Sequence, residues 1–171
     1  MAMSRTLVIP AVLVVMLGGL ARGAEGPLDS KVAFEKLKTL AGDWTVEMPD
    51  GAPPAKFSYK VVGSGTAVVE ELFPGTDMAM LSVYYLVGDD LRMTHYCAGK
   101  NQPQLKLDRA ASTSDVLVLA FDGGTNFDPA QDPHMHEGKI AFRGTGQLES
   151  TWIGFNGGKP VHTQVFKLSR P

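Results

Sequence analysis

The segment Gly42-Asp43-Trp44 constrains the fold of this chain more than any other short stretch. It follows residues 34–40, whose apolar side chains recur at helical spacing, and it opens residues 44–48, whose apolar side chains alternate with polar ones. Glycine commonly ends a helix, and tryptophan favours a strand. The pattern therefore predicts a short helix, capped by Asp29 or Ser30, that ends at Gly42 and leads directly into a first strand.

The rest of the chain consists of short alternating segments separated by Gly, Pro, Asn and Asp turns. Ten such segments predict an all-β domain in which each strand lies antiparallel to the one before it. Closing the sheet into an up-and-down barrel, or a flattened version of one, removes its exposed edges. The predicted strands cover residues 44–48, 57–61, 66–73, 79–87, 90–98, 104–110, 115–121, 139–143, 147–155 and 160–170.

Residues 1–24 have the pattern of a secretory signal peptide. Arg5 precedes an apolar run over residues 7–20, and small residues follow at Ala21, Gly23 and Ala24. The apolar run is shorter than the ~20 residues that a membrane-spanning helix needs. We therefore expect an exported protein, periplasmic or secreted, whose single domain covers residues 25–171 and keeps no membrane span once the signal is removed.

Net charge limits which partners the protein can bind, and cysteine content limits how its fold can be stabilised. Removing Arg5 and Arg22 with the signal peptide lowers the formal net charge from -2 to -4, which argues against nucleic acid as a partner. Cys97 is the single cysteine, so the chain forms no internal disulfide and its hydrophobic core must stabilise it.

The helix, the Gly-x-Trp segment and Arg170 on the last strand together resemble the lipocalin-like (calycin) β-barrels. The resemblance implies that Trp44 packs against Arg170 at a closed end, while the opposite mouth admits a small, often apolar ligand. A guanidinium over an indole contributes ~0.5 to 2 kcal/mol. Trp152 is the competing partner for Arg170. Three phrases, Thr94-His95-Tyr96-Cys97, Asn101-Gln102-Pro103 and His134-Met135-His136, are also similar to those of an uncharacterised family of exported bacterial proteins.

If the first strand starts at the closed end, strand order assigns every loop to one end of the barrel. The loops at 49–55, 74–78, 98–103, 122–138 and 156–159 then surround the mouth. The longest of them, 122–138, is of a length typical of functional loops. All four histidines, His95, His134, His136 and His162, fall at this end.

The candidate ligand-binding residues are Glu70, His95, Tyr96 and Cys97. On the fifth strand His95 and Cys97 share the apolar face, so we expect both to point into the barrel, with Tyr96 as their neighbour. Glu70 and Glu71 are consecutive in an apolar strand, so one of them must face inward; Glu70 is the choice. A buried carboxylate needs a partner, and a histidine is a natural one.

A metal or haem site is the alternative use of the same residues. Two histidines two residues apart in an extended segment project to one side, so His134 and His136 can share a metal ion that His95 completes. Zinc and copper fit such ligands, and haem needs one axial histidine. The sequence does not fix the cofactor, if there is one.

The chain has no nucleophile elbow, phosphate-binding loop or dinucleotide fingerprint. The first functional hypothesis is therefore a non-catalytic protein that takes a small, partly apolar molecule at the barrel mouth near His95. The second is a metal- or haem-binding protein, and this hypothesis includes an enzyme that uses the bound metal or haem. A barrel filled by its own side chains would leave a structural or protein-interaction role.

Overall fold

The computed structural model describes residues 26–170, and the predicted signal peptide at 1–24 lies outside that range. The described chain forms a closed, antiparallel ten-stranded barrel preceded by one helix, as predicted. Neighbours in sequence are neighbours in the sheet, and the last strand closes against the first. No helix among residues 26–170 has the length and apolar character to cross a membrane. The elements are α1 (Ser30–Lys38), β1 (Gly42–Val46), β2 (Ala55–Val62), β3 (Ala67–Leu72), β4 (Met80–Val87), β5 (Asp90–Tyr96), β6 (Gln102–Leu107), β7 (Val116–Thr125), β8 (His134–Phe142), β9 (Gln147–Asn156) and β10 (Lys159–Ser169).

Helix α1 begins at a side-chain cap and closes one end of the barrel. The carboxylate of Asp29 accepts hydrogen bonds from the backbone N–H groups of Lys31 and Val32, at 2.8 and 3.1 Å. The apolar face of the helix, including Phe34 and Leu37, is buried in the core. Its burial seals the barrel at the end from which β1 starts.

Arg170 joins the end of the chain to the end of the helix. Its guanidinium carbon lies 4.5 Å from the centre of the Trp44 ring, and its N–H groups donate to the carbonyls of Thr39, Leu40 and Ala41 at 2.9 to 3.3 Å. The Trp44 indole also donates to the Leu40 carbonyl, at 2.8 Å. The predicted contact between Trp44 and Arg170 is therefore confirmed.

The turn between β7 and β8 is much shorter than predicted. Residues 126–133 connect the two strands, so the predicted loop at 122–138 is wrong in extent. Gly123 and Gly124 do not turn the chain. Instead β7 continues through them, and Gly124 pairs with Pro103 across a bulge in β6–β7. A side chain at Gly124 would collide with the Gln102 carbonyl, so the glycine is needed for close approach of two strands.

The upper part of β10 is an open edge of the sheet. β1 is short and pairs with β10 through Leu168 and Ser169, and the Glu47 N–H donates to the Lys167 carbonyl beyond them at 3.0 Å. Within the described chain, residues 159–166 pair with β9 alone. The Gln164 side chain donates to the Val165 carbonyl at 3.3 Å, where a strand would otherwise provide a partner.

Candidate functional site

A cavity of about 480 Å³ opens at the end of the barrel opposite α1. This volume lies within the range of small-molecule sites, roughly 300 to 1,000 Å³. Most of its lining is apolar and includes four methionines, whose flexible side chains adapt to different ligand shapes. The lining residues are Met48, Pro49, Leu72, Phe73, Met78, Met80, His95, Cys97, Gly99, Asn101, Pro133, His134, Met135, Trp152, Gly154, His162, Gln164 and Phe166.

The open edge of β10 lies beside the cavity. Met48 and Pro49 line it from the end of β1, and His162 and Gln164 line it from the unpaired part of β10. No described strand joins these two walls above Lys167, so no ladder hydrogen bonds close the space between them. Phe166 narrows this space from below, because its ring packs against those of Phe57 and Phe73.

Beneath the cavity, a row of polar side chains crosses four neighbouring strands. Tyr59 lies opposite Glu70, Glu70 lies opposite Ser82, and Ser82 lies opposite His95 in the successive ladders of β2 to β5. All four side chains are buried. The arrangement places an ionisable group, Glu70, in the core and connects it to the histidine that lines the cavity.

Glu70 is the inward-facing member of the glutamate pair, as predicted. It is fully buried, and it accepts hydrogen bonds from the Tyr59 hydroxyl at 2.6 Å and from the Tyr84 hydroxyl at 2.8 Å. Burial raises the pKa of Glu70, and the hydroxyls around it partly oppose that shift. Glu71 instead faces outward and pairs with Lys60 at 3.0 Å.

The expectation that a histidine would be the direct partner of Glu70 is wrong. The two tyrosines occupy that position, and His95 is linked to the carboxyl through Ser82. Burial, followed by the charge of Glu70, raises the pKa of Tyr59 and Tyr84 well above the ordinary tyrosine value, so both remain hydrogen-bond donors at neutral pH.

His95 lies at the point where the polar row meets the cavity. Its Nδ1 is 3.0 Å from the Ser82 hydroxyl, and the residue is 4% exposed. Burial lowers the pKa of His95 to about 4, so the imidazole is neutral at physiological pH. Its Nε2 has no protein hydrogen-bond partner among residues 26–170 and is the ring nitrogen available to a ligand.

Tyr96 and Cys97, the other two predicted ligand-binding residues, lie on opposite sides of the barrel wall at the end of β5. Cys97 lines the cavity, and its sulfur accepts from the Gly99 N–H at 3.4 Å. Tyr96 is half exposed on the outside of the barrel and does not line the cavity. Alternation along the strand explains the difference, because neighbouring residues point to opposite faces.

His134 and His136 lie in strand β8 and form a hydrogen-bonded pair. His134 Nδ1 donates to the Asp132 carbonyl at 2.8 Å, and His134 Nε2 is 2.9 Å from His136 Nδ1. The His136 ring stacks between Phe121 and Phe155, at centroid distances of 4.4 and 3.9 Å. Burial, and then the charge of His134, lowers the pKa of His136.

The three predicted metal ligands do not form a common group. His95 and His134 line the cavity and His136 does not, while both ring nitrogens of His134 are engaged in hydrogen bonds. Over residues 26–170, no set of three or more His, Cys, Asp and Glu side chains is arranged to hold a metal ion.

Two buried polar atoms of the lining side chains lack protein partners. Asn101 donates through its amide nitrogen to the Pro133 carbonyl at 2.8 Å, but its Oδ1 is unpaired among the described residues, as is the indole nitrogen of Trp152. Buried polar atoms are usually paired, so unpaired ones in an apolar wall are typical of a site that a ligand or water completes.

Sequence reasoning missed Tyr59, Ser82, Tyr84 and Trp152 as parts of the site. Tyr59 alternates with Phe57 and Val61 in the predicted strand 57–61, but nothing in the sequence aligns it with Glu70. A signal was present, however, because Ser82 is a polar residue at an inward position of an otherwise apolar strand. A family-model scan and a search of curated proteins found no match to this chain.

Proposed function

We propose that this chain is an exported, lipocalin-like carrier or sensor that binds a small, partly apolar molecule in the barrel cavity near His95. The observation that carries the proposal is the cavity itself, about 480 Å³ in volume, open to solvent and walled mainly by apolar side chains. Burying apolar ligand surface against such a wall is favourable by about 25 cal/mol per Å² before the costs of association are subtracted.

Membership of the calycin group, and of the exported bacterial family with the His134-Met135-His136 phrase, belongs to the same proposal. The closed barrel and the contact of Trp44 with Arg170 support the first. The signal-like pattern of residues 1–24 supports export.

The proposed role is binding rather than catalysis. Glu70, the buried carboxyl of the site, is enclosed by two tyrosine hydroxyls and does not line the cavity. An acid or base must reach the group whose proton it transfers. The groups that do reach the cavity, among them His95, Asn101 and Gln164, are suited to orienting a ligand.

Binding of a neutral, apolar dye such as Nile red tests the proposal. We expect saturable fluorescence enhancement with one dye per chain. Met80→Trp fills the cavity with a larger side chain and should abolish the signal, whereas Val87→Trp, at an exposed position on the same strand, should leave it unchanged.

Mass spectrometry and absorption of the untagged protein complete the test. A small organic molecule released on denaturation would support the proposal. Stoichiometric zinc or copper, or a Soret band, would favour the metal or haem alternative instead. A protein that binds neither Nile red nor any co-purifying molecule would contradict the proposed function.

A further inference from the structure

The geometry points to a ligand that is uncharged and that donates a hydrogen bond to Nε2 of His95. This inference rests on the proposed function and specifies the chemical class of the bound molecule: an alcohol or a comparable neutral donor attached to an apolar body.

The composition of the cavity wall favours an uncharged ligand. Among the described residues that line the cavity, none is Asp, Glu, Lys or Arg. An ionised ligand head would leave water without a counter-charge, which is costly in an apolar environment. An anionic head would in addition approach Glu70, which lies two strands from His95 in the same polar row.

The hydrogen bonds around Glu70 determine which atoms donate and which accept along the polar row. Each carboxyl oxygen of Glu70 accepts from a different tyrosine, Oε1 from Tyr59 and Oε2 from Tyr84, so the carboxyl acts as an acceptor at both of its oxygens. Ser82 lies opposite this carboxylate and has one hydroxyl hydrogen to give. Ser82 is a hydrogen-bond partner of the Glu70 carboxyl as well as of His95. Giving its one hydrogen to Glu70 leaves the Ser82 oxygen as an acceptor toward His95.

That choice determines the tautomer of His95. Nδ1 then carries the hydrogen and donates to Ser82 across 3.0 Å, and a neutral imidazole has no second N–H. Nε2 therefore offers a lone pair to the cavity. The Oδ1 of Asn101, a second acceptor without a protein partner among the described residues, belongs to the same lining. Both acceptors suit a ligand that donates, and the unpaired indole N–H of Trp152 in the same lining can donate to the oxygen of an alcohol head.

A series of ligands with one apolar chain and different heads tests the inference by titration calorimetry. Decan-1-ol donates, methyl nonyl ether accepts without donating, and decanoate is anionic at pH 7.5. We expect decan-1-ol to bind at least about tenfold more tightly than either of the others, the size of effect that one hydrogen bond commonly gives.

Variants of His95, with one control outside the cavity, assign the preference to its atom. His95→Phe keeps a ring but removes the acceptor, so the preference for decan-1-ol over the ether should disappear. His95→Gln provides the same comparison with a polar side chain, should the phenylalanine variant fold poorly. Tyr96→Phe, next to His95 in sequence but on the outside of the barrel, should leave the preference unchanged.

Different results would overturn the inference about the ligand head and the proposed function itself. Decanoate binding as tightly as decan-1-ol, or an alcohol preference that survives in both His95 variants, would overturn the inference while leaving a carrier of apolar molecules intact. If no member of the series binds and Nile red does not bind either, the proposed function fails and the inference fails with it.

Discussion

The hydroxyl of Ser82 lies 3.0 Å from Nδ1 of His95, and this contact connects the closed core of the barrel to its cavity. On the core side, Ser82 is opposite the fully buried Glu70 and its two tyrosines. On the cavity side, His95 presents its remaining ring nitrogen. A network of this kind orients the imidazole by hydrogen bonds that water cannot replace.

Replacing Glu70 by Leu should lower the free energy of unfolding by about 3 kcal/mol or more. The substitution leaves two buried tyrosine hydroxyls without an acceptor, and each unpaired buried group costs roughly 1 to 3 kcal/mol. Urea unfolding at pH 7 measures the change. Glu71→Leu is the matched control, because Glu71 makes a partly exposed ion pair with Lys60 and its loss should cost less than about 1 kcal/mol. Equal effects of the two substitutions would contradict the assignment of Glu70 as the buried acceptor.

Acid should destabilise the protein through His95. The pKa of His95 is about 4 in the folded protein and 6.5 in the unfolded chain, so between these values the unfolded chain binds more protons. The contribution of His95 to the free energy of unfolding is therefore fully present above pH 6.5 and is lost as the pH falls towards 4. The loss over this interval amounts to about 3 kcal/mol.

Urea unfolding of the wild type and of His95→Phe across pH 4 to 7.5 measures this contribution. The stability of the variant should depend less on pH over that interval. A wild type and a variant that lose stability in parallel would show that His95 does not titrate as its burial predicts.

Replacing Arg170 by Ala should destabilise the barrel by about 2 kcal/mol or more, because it removes the contact with Trp44 and the hydrogen bonds to the last carbonyls of the helical segment. Arg170→Lys should be intermediate, since lysine keeps the charge without the planar group. Arg143→Ala removes a surface ion pair with Glu149 and should cost less than about 1 kcal/mol. Thermal and urea unfolding compare the three, and an Arg143 effect as large as that of Arg170 would count against the closure role.

Two glycines of the barrel wall should respond differently to alanine. A Cβ at Gly138 would overlap the ring of Trp152, which is buried and must move into the cavity. Gly138→Ala should therefore destabilise the protein by about 1 to 3 kcal/mol and weaken Nile red binding.

At Gly154 the added Cβ would overlap the His162 ring, which is exposed and can turn into solvent. Gly154→Ala should cost less than about 1 kcal/mol and leave Nile red binding nearly unchanged. Unfolding and dye titration of both variants check the pair. The reverse order of effects would contradict the packing of Trp152 against Gly138.

The sequence predicted the barrel well because each step depended on local patterns. Alternation located ten strands, and the Gly42-Asp43-Trp44 segment with Arg170 located the closed end. Alternation also predicted that one of Glu70 and Glu71 faces inward, and in the structure Glu70 does so, on the same face as the buried Val68 and Leu72. These inferences required knowledge of which residues share a face, and period-two alternation provides it.

The parts that failed depended on the register between strands. Whether Tyr59 or a histidine lies opposite Glu70 is decided by the length and geometry of the hairpins, which alternation does not specify. Gly123 and Gly124 have the composition of a turn, yet a bulge at Pro103 lets them extend β7. That error assigned His134 and His136 to a loop, although both belong to β8.

The unpaired upper edge of β10 bears on how quickly a ligand is exchanged. A barrel closed all round must lose ladder hydrogen bonds before a molecule can leave through its side, and that step is coupled to partial unfolding. Here the gap between Pro49 and Gln164 already lacks such hydrogen bonds within the described chain. Side-chain rotation at the gap, which takes picoseconds to nanoseconds in exposed residues, breaks no ladder hydrogen bond. Release kinetics should consequently be insensitive to substitutions, such as that of Arg170, that change the stability of the barrel as a whole.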